Sequence, residues 1–185
     1  MAEEQTEHVE SVDDQPQFDP AMVQMAMQKF QSEQNLIGGA LVGLAGAFVG
    51  AVIWAVITVV TEYQIGFMAI GIGFLVGIAM RSVGKGIDNV FGVVGAILAL
   101  FGCALGNLLS VCYLVSVAEK MEYFEVLSRL NPEIIVELMT ATFSLMDLLF
   151  YGIAVYEGYR LSFRQISEED LARAIKGSGA AVGPT

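Results

Sequence analysis

Three long stretches of this chain carry no charge, and they constrain the fold more than any other feature. Twenty-eight residues separate Glu33 from Glu62, eighteen separate Glu62 from Arg81, and thirty separate Asp88 from Glu119, all without an acid or a base. A bilayer core of roughly 30 Å is crossed by about 20 helical residues, and a soluble helix of that length would show a polar face that these segments lack. The expected fold class is therefore all-α, an integral membrane four-helix bundle with flanking amphipathic surface helices. Only 16% of the residues are charged against 55% apolar, an unusual balance for a soluble domain of 185 residues.

The formal charge of −11 is misleading as a guide to partners, because seven of the twenty acids lie before residue 20. Residues 1–18 are polar, acidic and poor in large apolar side chains, which predicts a disordered tail. That tail has no apolar core of a signal peptide, so the first span is expected to serve as signal and anchor together. Asp19-Pro20 reads as a helix start, a carboxylate cap followed by proline at the first helical position, opening an amphipathic surface helix over 19–35. Met22, Met25, Ala26 and Phe30 share one of its faces, while Gln24, Gln28 and Gln31 share another.

The bundle is expected over 36–160, with spans at about 36–60, 65–80, 89–115 and 138–156. Thr61-Glu62-Tyr63-Gln64 is short enough to be a tight hairpin, and Arg81–Asp88 forms the next connection. Ala118–Leu130 is amphipathic, and Asn131-Pro132 signals a new helix that runs on into the fourth span. Residues 161–185 are expected to hold a short cytoplasmic helix, opened by Ser167-Glu168-Glu169-Asp170 and ended by Gly177, then a flexible tail. With the N-terminus inside, Lys29, Arg81, Lys85, Arg160, Arg164, Arg173 and Lys176 are cytoplasmic, against Lys120 and Arg129 outside. This asymmetry predicts both termini in the cytoplasm.

Small residues recur along the spans: Gly39, Gly43, Gly46 and Gly50 in the first, Gly66, Gly73 and Gly77 in the second, Gly95, Ala99, Gly102, Gly106 and Ser110 in the third. Such stripes allow membrane helices to approach closely, and they predict dense packing or grooves open to a partner helix, a lipid or an ion path. Gly71–Gly77 lacks the spacing and the strand-to-helix turn of a dinucleotide loop.

Asp147 falls at the centre of the expected fourth span, where an acid costs about 2.5–3.5 kcal/mol on insertion scales and faces the bundle interior or water. Ser144 and Tyr151 are expected on its helix face together with Thr140, and Asn107 is a candidate partner from the third span. This intramembrane polar set serves either packing or ion and proton handling. Glu157 is expected to form an ion pair near the cytoplasmic interface, where Arg160 lies one turn on and Arg81 and Lys85 end the second span on the same side. Cys103 and Cys112, nine residues apart in one helix, face different ways and read as small hydrophobes. The single histidine, His8, lies in the tail, which excludes His-ligated haem or metal within the membrane. No catalytic residues, metal or cofactor are expected, and no nucleic acid partner.

Two stretches, YQIGFMAIGIGFLVGIAMR at Tyr63–Arg81 and DLLFYGIAVYEGYR at Asp147–Arg160, resemble segments of small, uncharacterised bacterial multi-span membrane proteins. The resemblance implies a bacterial inner membrane and no activity. The expected function is a non-catalytic inner-membrane protein that self-assembles, as a homo-oligomer, or acts as an accessory subunit of a larger membrane-protein partner. The alternative is a small proton- or cation-conducting channel or transporter using a mid-membrane carboxylate.

Overall fold

The computed structural model describes residues 19–179, and they are helical, without a strand among them. Eight helices follow one another: α1 Pro20–Ser32, α2 Leu36–Thr61, α3 Met68–Gly84, α4 Asn89–Glu119, α5 Tyr123–Ser128, α6 Pro132–Thr142, α7 Leu145–Leu161 and α8 Glu168–Gly179. The expected tails at 1–18 and 180–185 lie outside the described residues. The chain divides into two compact units, one running from Phe30 to Ile166 and one made of the two chain ends.

Local chemistry sets most helix ends. Asp19 accepts from the Ala21 N–H at 2.9 Å, which opens α1 at the expected proline. Asn35 opens α2 by accepting from Gly38 N at 2.8 Å, and Asn131 opens α6 by accepting from Ile134 N at 2.8 Å. Ser167 and Asp170 cap each other at the start of α8, as expected, but α8 continues through Gly177 to Gly179. Glycine has a weak helix preference, and with no positive φ demanded at that position it does not stop the helix. Glu62, Lys85 and Lys120 close α2, α3 and α4 in the left-handed region, with φ of 58°, 47° and 55°.

α2 and α4 are each long and apolar enough to cross a membrane; at 1.5 Å per residue they reach about 39 and 46 Å. α6 and α7 meet that standard only as a broken pair, turned by 106° at their junction, and α3 is a shorter apolar helix of 17 residues. Among the described residues there are thus two candidate spans, or three with the broken pair. The surface supports membrane embedding. Ile37, Leu41, Phe48, Val52, Val56 and Val60 of α2, and Val93, Ile97 and Leu100 of α4, point outward, while Ala47, Ala51, Ala99 and Cys103 are buried. A surface of large apolar groups, over an interior that mixes small residues with Trp54, Ile72 and Met80, is unlike that of a water-soluble bundle and is expected where lipid is the solvent.

Within the Phe30–Ile166 unit, α2 and α7 each pack on both α3 and α4. Gly39 meets Gly84 and Gly50 meets Ile72, so α2 and α3 are antiparallel. Gly102 meets Ala47 and Gly106 meets Ala51, so α2 and α4 are parallel. α7 runs parallel to α3, with Gly73 on Ala154 and Gly77 on Leu161, and antiparallel to α4, with Gly95 on Gly158 and Ser162. The end where α2 begins is tied by polar contacts. Gln34 Oε1 accepts from the N–H groups of Ile87 and Asp88 at 2.9 and 3.2 Å, and its Nε2 donates to Asp88 Oδ2 at 2.8 Å. Arg164 pairs with Glu33 at 2.9 Å, stacks over Phe30, and donates from its backbone N–H to Gly86 O at 2.7 Å.

Candidate functional site

The fourth apolar segment is not the continuous helix that hydropathy predicts. α6 ends at Thr142, Phe143 and Ser144 adopt extended backbone, and α7 starts afresh at Leu145. The cause is local. Ser144 Oγ accepts from Asp147 N at 3.3 Å, while Asp147 Oδ2 accepts from Ser144 N and Ser144 Oγ, both at 2.8 Å. This reciprocal capping box satisfies the first orphan donors of α7 and fixes the chain direction there. Phe143 holds the outer side of the break by an edge contact with Tyr151, ring centres 5.8 Å apart.

Asp147 is therefore the third residue of a helix and not the middle of a span, which corrects its expected position. Thr140 does not share its face, since Thr140 sits on α6 and donates to Val136 O. Of the expected polar set, Ser144 does bind Asp147. Asn107, 1% exposed, instead accepts a hydrogen bond from Gln64 Nε2, and its Nδ2 faces the Met139 sulfur at 3.9 Å. Tyr151 donates to the Cys103 carbonyl at 3.2 Å. A further buried contact joins α2 to α4, with Thr58 Oγ1 between Trp54 O and Ser110 Oγ at 3.1 and 3.0 Å.

The break leaves a cavity of about 350 Å³, open on one side and lined by Gln64, Gly66, Thr142, Ser144, Met146, Asp147 and Phe150. Asp147 is 8% exposed and is the one ionisable group in that wall. Its Oδ2 is engaged by Ser144, whereas Oδ1 faces Gly66, at 3.1 Å from where a Cβ there would stand. Gly66 has a purpose here: any side chain would press on Phe150 and the carboxyl group. Gln64, Gly66, Thr142 and Phe150 were not foreseen as members of a site. The usable signal was Ser144-x-x-Asp147, a helix start of the same form as Ser167-x-x-Asp170.

The glycine stripes resolve into helix crossings inside the chain. Gly39, Gly43, Gly46 and Gly50 line α2 against α3 and α4; Gly73 and Gly77 face α7; Gly102 and Gly106 face α2. Gly71 and Gly152 differ, because nothing lies within 4 Å of where their side chains would begin. Both are on the outward surface. Cys103 and Cys112 are free and buried. The ion pair expected at Glu157 is not formed among the described residues, whose ion pairs include Arg129 with Glu125, Arg164 with Glu33 and Arg173 with Glu169. No group of three His, Cys, Asp or Glu side chains among the described residues is placed to hold a metal ion. Compared with known proteins, the chain matches no family model, no curated protein and no solved structure.

Proposed function

We propose that this chain is a four-pass, non-catalytic protein of a bacterial inner membrane that associates within the bilayer, with further copies of itself or as an accessory subunit of a larger membrane protein. In this reading α2, α3, α4 and α7 are the spans, α5 and α6 lie on the outer surface, and both termini are cytoplasmic. Support for four passes comes from the alternating directions of these helices and from their apolar exteriors. Support for the orientation comes from Arg81, Lys85, Arg160 and Arg164, which flank the bundle end where α2 begins, against Lys120 and Arg129 at the other.

The observation that carries the association is the pair Gly71 and Gly152. They stand at matching levels of two parallel helices, each two residues before the Gly73–Ala154 crossing. At about 100° per residue each points away from that crossing. A bare backbone on a lipid-facing surface gives up packing within the chain and admits a partner helix. Conduction through Asp147 finds less support, because the buried core of the bundle, Ile72, Ala99, Cys103 and Ala154 among it, is apolar and closely packed.

The test is the mass of the protein purified in mild detergent, with Gly71→Leu and Gly152→Leu beside the wild type. Both variants should fold, having open space at the site, and at least one should lose its partner or drop in oligomeric number. A wild type that runs as a single copy with no stoichiometric partner would sink the reading, as would an unchanged mass in both variants.

A further inference from the structure

The cavity at the break between α6 and α7 has the chemistry of a receptor for a small organic cation. We infer that it binds a primary ammonium group, carried by a free amine or by the headgroup of an aminophospholipid. Three observations converge. The wall holds one acid and no base, so a positively charged occupant is favoured over an anion. Asp147 is nearly buried and presents Oδ1, with no described donor engaging it, while Ser144 fixes the carboxyl group through Oδ2. The rest of the wall suits an ammonium on a short carbon stem: Phe150 and Met146 supply apolar and aromatic surface, and Gln64 and Thr142 are polar.

Competing occupants fit less well. A divalent metal wants six or more oxygen ligands or a set of His, Cys and acidic side chains, and this wall offers a single carboxyl group. A volume of about 350 Å³ is far more than one ion needs and lies in the range of small-molecule sites. Leu145 and Met146, exposed beside the opening, would lie against the acyl region of a bound lipid. This site stands independently of the association proposed above, which concerns other faces of α3 and α7.

The experiment uses the full chain in nanodiscs of phosphatidylglycerol alone, titrated with ethanolamine, and in nanodiscs that also contain phosphatidylethanolamine. Thermal stability and native mass spectrometry are the readouts, with ethylene glycol as the uncharged control. Stabilisation by ethanolamine supports a free-amine source, and preferential retention of phosphatidylethanolamine supports the headgroup source. Asp147→Asn should weaken binding about tenfold or more, since a hydrogen bond to a charged group is lost. Phe150→Leu leaves the capping box intact and should weaken binding several-fold, which decides the matter should Asp147→Asn fail to fold. No response to either amine source, an equal response to ethylene glycol, or undiminished binding in Phe150→Leu would overturn the inference.

Discussion

Replacing Gly73 with alanine adds one methyl group where α3 crosses α7, and the geometry leaves it no room. The new Cβ would stand 2.4 Å from the Ala154 carbonyl oxygen and 2.8 Å from its Cα. Both are backbone atoms, so no side chain can swing aside. Restoring an ordinary contact requires the two helices to separate by about 1 Å, a gap that forfeits a quarter to a half of the dispersion energy of the atoms it parts. Overpacking of this kind costs about 1–3 kcal/mol. Gly71→Ala, two residues away on the same helix with nothing of its own chain within 4 Å, is the matched control, measured at dilutions where no partner is bound, and alanine's better helix preference contributes up to about 1 kcal/mol in both variants. That preference is common to both, so the variants should differ by the overpacking alone, about 1–3 kcal/mol in reversible unfolding from mixed micelles, with Gly73→Ala the weaker. Equal stability of the two would refute the crossing and the argument that small residues hold α3 to α7.

Three further outcomes are expected. With Cys103 and Cys112 replaced, a cysteine at Ser128 should react with an impermeant thiol reagent on intact cells and one at Ser82 should not; the opposite pattern would reverse the orientation. Asn35→Ala should lower stability by about 1 kcal/mol through loss of the α2 cap, and Asn35→Asp should not, as read by chemical denaturation; equal losses would show that the cap contributes nothing. Thr58→Val and Ser110→Ala should each destabilise by about 1 kcal/mol, yet the double variant should cost less than their sum, because each removes the same buried bond. Strict additivity would show that the two hydroxyls do not depend on each other.

The charge-free runs located α2 to within a residue and the start of α4, which runs on four residues past the expected 115 to Glu119, because a bilayer-length apolar stretch has no competing explanation. Asp19-Pro20 and Asn131-Pro132 were legible for a different reason: a cap is a local bond between neighbouring residues. The same rule applied to Ser144-x-x-Asp147 would have found the break in the fourth segment. Hydropathy averaged over that segment hid it, since Phe143 and Leu145 are as apolar as a continuing helix. The partner of Asn107 was not readable at all: Gln64 lies forty-three residues away, and only the folded turn before α3 brings the two amides together. Periodicity showed that glycine lined helix faces, but which face met which helix depends on helix order in space. The cavity depends on that order too, drawing as it does on the α2–α3 connection and both sides of the break.

The unequal lengths of the bundle helices bear on how the chain is made. α2 and α4 are strong insertion signals in their own right, whereas α3, with 17 residues, and α7, with 17 after a sharp bend, are weaker. In the four-pass reading each weak helix leaves the ribosome after a strong one. α3 can settle at once against α2, which precedes it across a short turn. α7 emerges last and fits only the slot between α3 and α4, where Ala154 and Gly158 must find Gly73 and Gly95. Until then that slot leaves the bare backbone at Gly73 and Gly95 uncovered, so an unfinished chain differs from a finished one at a defined place on its surface.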